Sequence, residues 1–175
     1  MAFYDNTLLL SNAQAIGSAT AAVSTSTYDI TGAGSGNAPS MIWGTSTFLQ
    51  ADVMVGRTMF AYLTVTTAFS VGASTFTFII QAAPPVAGNI PATWTNIYQS
   101  AAFTGTNLVS GAQLVVPFPP FALIKPAESM PRFYRFLYNT STATFSSGAF
   151  SAGILLDAPT GMVSTLYPSN FASGL

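Results

Sequence analysis

Short runs rich in Val, Ile, Thr and aromatic residues recur along this chain, each bounded by Gly, Pro, Ser or Asn. Runs of roughly four to eight such residues between turn residues are the signature of strands, and their number leaves little room for anything but packed sheets. Thr58 to Thr66 shows the pattern most plainly. Strand side chains alternate between faces, so Phe60, Tyr62 and Thr64 share one face and Met59, Ala61, Leu63 and Val65 the other. Thr75 to Gln81, Trp94 to Ser100, Leu114 to Phe118, Arg132 to Asn139 and Ala149 to Asp157 follow, with Thr7 to Leu10 and Thr27 to Thr31 before them. These segments predict an all-β protein, a jelly-roll-like antiparallel β-sandwich of about eight strands. Helical signals are weak. Ala13 to Ala22 carries helix-tolerant alanines, but Gly17 and the surrounding Ser and Thr argue against a stable helix.

The 175 residues are expected to form a single domain, with an N-terminal arm over residues 1–6 and a C-terminal tail over 159–175. Gly32 to Ser40 reads as a flexible loop, and Ala83 to Thr93, with three prolines, as an extended excursion. The tail retains Met162, Leu166, Tyr167 and Phe171, unlike a solvated disordered segment.

Only 5% of the residues are charged, against about 25% in ordinary soluble domains. Charge on a monomer's surface keeps it soluble and repels neighbours. A surface of Ser, Thr, Asn, Gln and apolar groups instead suits a protein that lies against other protein, and a homodimer or homotrimer is expected for the same reason. Four Lys and Arg cannot neutralise enough phosphates for nucleic-acid binding. No apolar run approaches the roughly 18 residues of a membrane-spanning helix. The first basic residue is Arg57, so the basic start of an export signal is absent and no export is expected.

Candidate chemistry is sparse. The chain has neither histidine nor cysteine, which removes the usual general base, the triads built on it and the commonest metal ligands. The acids Asp5, Asp29, Asp52, Glu128 and Asp157 and the lone lysine Lys125 show no pairing in sequence; turns, strand ends and salt bridges account for them. Gly32-Ala-Gly34-Ser-Gly36 is not followed by a helix, as a phosphate-binding loop requires, and Asn139-Thr-Ser141 reads as a turn at a strand end. The expectation is therefore no enzyme, no catalytic residue, no cofactor and no metal. Arg132 and Arg135, three apart in Pro-Arg-Phe-Tyr-Arg-Phe-Leu-Tyr, would point to opposite faces of an ideal strand. One can pair with an acid across the sheet while the other meets a neighbour, and Arg among aromatics is typical of interface anchors.

Several segments together resemble a known family: Leu8 to Ile16, the strand pair Phe60 to Thr67 and Thr75 to Ala82, Leu108 to Pro120, Arg132 to Thr140, and Gly148 to Asp157. Their order and spacing are similar to those of the capsid cement (decoration) proteins of short-tailed bacteriophages, the Bordetella-phage type. The likeness covers most of residues 7–158, and the chain departs from it at Gly32 to Thr47, Pro84 to Thr93 and the tail. The resemblance implies a structural protein on the outer capsid surface of the virion, made in the bacterial host cytoplasm and clamping neighbouring major capsid protein subunits. Phe3, Tyr4, Leu166, Tyr167 and Phe171, with Arg132 and Arg135, are the candidate protein-interface residues. The alternative is a tail-spike or adhesin-type carbohydrate-binding β-sandwich, with Trp43 and Trp94 stacking on sugars.

Overall fold

In a computed structural model, the residues described are 8–16, 20–29, 59–70, 72, 74–86, 90–118, 131–141 and 145–155. They form twelve strands: β1 (Leu9–Ala15), β2 (Ala21–Val23), β3 (Tyr28–Asp29), β4 (Phe60–Thr67), β5 (Thr75–Ala83), β6 (Pro85–Val86), β7 (Ile90–Pro91), β8 (Thr95–Gln99), β9 (Phe103–Thr104), β10 (Gln113–Pro117), β11 (Phe133–Thr140) and β12 (Ala149–Leu155). The sole helical turn among them is the 3-10 turn Gly105–Asn107.

One sheet has the order β1-β12-β4-β10 and the other β2-β11-β5-β8, with β3 also paired to β11 and β9 to β5; β6 and β7 form a separate ribbon. All pairings are antiparallel. Taking β2 with β3, and β8 with β9, as single interrupted strands leaves the eight strands of the sandwich. The strand order in both sheets is then that of a jelly roll, in which successive strands pass between sheets except for the neighbouring pair β5 and β8.

The alternation seen in sequence decides which side chains fill the space between the sheets. Met59, Ala61, Leu63 and Val65, which the alternation puts on one face, enter the core from β4 and the residue before it. Phe76, Phe78 and Ile80 of β5, Tyr134, Phe136 and Tyr138 of β11, and Phe150, Ala152 and Ile154 of β12 meet them. The rings pack at angles: Tyr138 and Phe150 lie 4.3 Å apart at 61°, Phe78 and Phe136 4.9 Å at 65°, and Phe69 and Phe145 5.0 Å at 85°. Edge-to-face placement sets the positive rim of one ring against the negative face of another. Gly148, at φ +140°, lies beneath Phe69, where an added Cβ would stand 2.5 Å from the ring. Only a residue without a side chain fits that approach. Burial of Tyr134 also raises its phenol pKa, with a smaller contribution from Tyr28.

Polar groups knit the edge where β1 and β2 face each other. The buried Tyr138 hydroxyl lies 2.6 Å from Ser11 Oγ, and Ser11 Oγ donates to Gln14 Oε1 at 2.7 Å. Gln14 Nε2 donates in turn to the Val23 carbonyl at 2.7 Å.

Three features differ from the expectations. The segment Ala13 to Ala22, for which the sequence predicts no element, supplies the end of β1 and the first two residues of β2. β1 carries register shifts on either side of Ser11, with Ala13 at φ +45° and its N–H donating to Ser151 Oγ at 2.9 Å. Such irregularities break the period-2 pattern that marks a strand in sequence. The excursion Ala83 to Thr93 contains the β6–β7 hairpin, with Pro85 opposite Pro91 and Val86 opposite Ile90. Its prolines are tolerated because a two-stranded ribbon has edges that need no N–H donor. Finally, β9 and the 3-10 turn were not anticipated. The arm, the Gly32 to Ser40 loop and the tail lie outside the described residues.

Candidate functional site

Side chains that alternate away from the core line the outer faces of the two sheets. On the β4 sheet these are uncharged among the described residues: Thr64, for example, stands between Gln113 of β10 and Ser151 of β12. On the other sheet, Arg135 of β11 pairs in register with Gln81 of β5, and Gln81 with Asn96 of β8. A register shift between Ile80 and Gln81 sets that last pairing, since Ile80 faces Tyr98 and Gln81 faces Asn96. A bulge of this kind re-aims side chains.

The three polar side chains form a chain of bonds across the sheet. Arg135 Nε donates to Gln81 Oε1 at 2.7 Å, and Gln81 Nε2 donates to Asn96 Oδ1 at 2.7 Å. Trp94, just before β8, places its ring 4.2 Å from Arg135 Cζ, a close cation–π contact. Arg135 is partly exposed, and burial holds its pKa below the ordinary guanidinium value.

Arg132 has a different setting. Its Nε and Nη2 donate to Asp29 Oδ1 and Oδ2, each at 2.8 Å, a bidentate pair joining the entry of β11 to β3. The side chains of Arg132 and Asp29 are only 12% and 2% exposed. The bonds to Asp29 raise the Arg132 pKa, opposed by desolvation and aided by the carboxylate's charge. Arg132 and Arg135 thus have different partners, one in an ion pair with Asp29 and over the Phe133 ring, the other on a polar outer face. Asp29 fits the expectation of an acid at a strand end in a salt bridge. Phe3, Tyr4, Leu166, Tyr167, Phe171 and Trp43 lie outside the described residues.

Among the described residues the charged ones are Asp29, Arg132 and Arg135. Among the described residues no group of three or more His, Cys, Asp or Glu could hold a metal, and no helix is long and apolar enough to cross a membrane. Exposed apolar side chains stand at Val86 and Ile90 on the hairpin and at Val109 beyond the 3-10 turn. A cavity of about 160 Å³ opens between Leu63, Phe76, Phe103, Leu108 and Leu114.

The family model for Bbp16, a Bordetella phage protein family, matches residues 10–154. The chain belongs to the Bbp16 family. The match starts at the second residue of β1 and stops one short of the end of β12, so the Bbp16 match runs across the jelly roll from its first strand to its last. No curated protein matches this Bbp16 family member.

Proposed function

We propose that this Bbp16 family protein is a capsid cement protein, bound to the outer surface of an icosahedral phage head and clamping neighbouring major capsid protein subunits. The observation that carries the reading is the charge-poor exterior of the sandwich. With Asp29 and Arg132 paired, Arg135 is the one charge among the described residues with no opposite charge against it. A surface of this kind associates through apolar burial and hydrogen bonds rather than long-range steering. Family membership supports a phage setting, and the absence of histidine and cysteine supports a role without chemistry. Self-association as a dimer or trimer would let small contacts add around a symmetric shell. The apolar and aromatic ends, through Phe3, Tyr4, Leu166, Tyr167 and Phe171, serve as further anchors in this reading.

A sugar-binding spike module is less well supported, because Trp94 already holds the Arg135 guanidinium against its ring. Quantifying the chain on purified particles washed with rising sodium chloride separates the two. Cement predicts hundreds of copies per particle, retained at 1 M salt, where screening shortens to about 3 Å. A few copies per particle would indicate a spike, and release at moderate salt would contradict an apolar clamp.

A further inference from the structure

The outer face of the β11–β5–β8 sheet holds the Arg135 guanidinium fixed by its neighbours. Its Nε edge is engaged by Gln81, and Gln81 is held by Asn96, so the group cannot swing freely along the sheet. Trp94 supports its ring-like plane at 4.2 Å. Among the described residues no group bonds the terminal nitrogens Nη1 and Nη2, and no carboxylate lies within salt-bridge distance of them. Phe133 and Ile79, which alternate onto the same face, are each only 4% exposed, so the surroundings of Arg135 are partly apolar. A planar fork of donors with its side chain already ordered forfeits little entropy on binding.

We propose that Arg135, held by Gln81, Asn96 and Trp94, is a docking site for a carboxylate side chain of the major capsid protein, received end-on by Nη1 and Nη2. The occupant follows from charge complementarity. A single cation is too few for a nucleic-acid backbone or an anionic membrane, both of which require many. It matches one carboxylate, whose two oxygens fit the two terminal nitrogens. The stacked Trp94 face and the low exposure around it shield the pair from water, which makes it stronger and less sensitive to salt than an ordinary surface pair. The site is therefore compatible with a mainly apolar clamp and supplies its orientation.

This inference rests on the capsid reading, and binding to shells assembled from the major capsid protein alone tests both. Full-length chains carrying Arg135→Met and Arg135→Lys are compared with the unsubstituted chain, with melting temperature and sedimentation measured alongside. Arg135→Met is expected to bind at least about tenfold more weakly, as loss of an interface anchor does. Arg135→Lys keeps the charge but loses the Gln81 bond, the stacked plane and the fork, so it should also weaken binding, by a smaller factor. Both should keep the oligomeric state of the unsubstituted chain. Should Arg135→Met misfold, the weakened binding of Arg135→Lys still decides the matter. Undiminished binding of either folded variant overturns the site. A variant that loses self-association instead reassigns Arg135 to a contact between copies and overturns the capsid-protein occupant. Failure of the unsubstituted chain to bind shells at all overturns the capsid reading, and the docking site with it.

Discussion

Replacing Arg132 with methionine is expected to destabilise the fold by about 3 kcal/mol, the lower end of the cost of breaking a buried ion pair. The size follows from the setting of Asp29. Its side chain is 2% exposed, and both carboxylate oxygens accept charge-assisted bonds from Arg132 at 2.8 Å. Methionine replaces the stem of the arginine but supplies neither donor, so the carboxylate loses both bonds while remaining in a medium that solvates charge poorly. For a chain of this length the melting temperature should fall by about 6–12 °C. Substituting both partners with apolar residues, Arg132→Met with Asp29→Leu, should recover much of the loss, because the desolvation of both charges disappears with their attraction. Thermal unfolding of the two variants checks this. A single variant that melts within about 2 °C of the parent would mean the pair behaves as a solvated surface bridge.

Truncating Phe150 to alanine should be at least as damaging, at about 3–5 kcal/mol. Phe150 is fully buried in β12 and packs against two rings of the opposite sheet, Tyr138 at 4.3 Å and Phe76 at 5.6 Å, and against Phe69, just beyond β4, at 6.0 Å between centroids. Alanine removes the transfer free energy of the ring and leaves a void that three neighbouring rings cannot all collapse into. Val109→Ala, at an exposed site, should move stability by no more than about 0.5 kcal/mol. Denaturant midpoints measured on both variants provide the comparison. Equal, small effects would show that the aromatic cluster is not the centre of the core.

The contrast between these residues shows what the sequence makes legible. The longer strands announce themselves because one face is buried along their whole length, and alternation then persists over many residues, as in Phe133 to Thr140. The placement of Met59, Ala61, Leu63 and Val65 on one face follows from that period alone. Strands of two or three residues, such as β2 and β9, are too short to show any period. β1 hides its second half behind the irregularity at Ala13.

The candidate site is less legible for a different reason. Arg135 and Arg132 stand out as rare charges beside aromatics, and Trp94 as one of two tryptophans. Their partners depend on register between distant strands: Gln81 is 54 positions from Arg135, and Asp29 is 103 from Arg132. Local alternation places a residue on a face but does not choose its cross-strand neighbour. The pairing of β5 with β8 turns on one bulge that no residue in the sequence advertises.

The central claim is that this jelly roll works as a clamp on the outside of a phage head. An image of the assembled particle at side-chain resolution tests it most directly. The account predicts the β-sandwich on the outer surface, repeated over the lattice and touching more than one major capsid protein subunit, with a capsid carboxylate against Arg135. Finding the sandwich only at the tail, on the inner face of the shell, or resting on a single subunit at each position would contradict it.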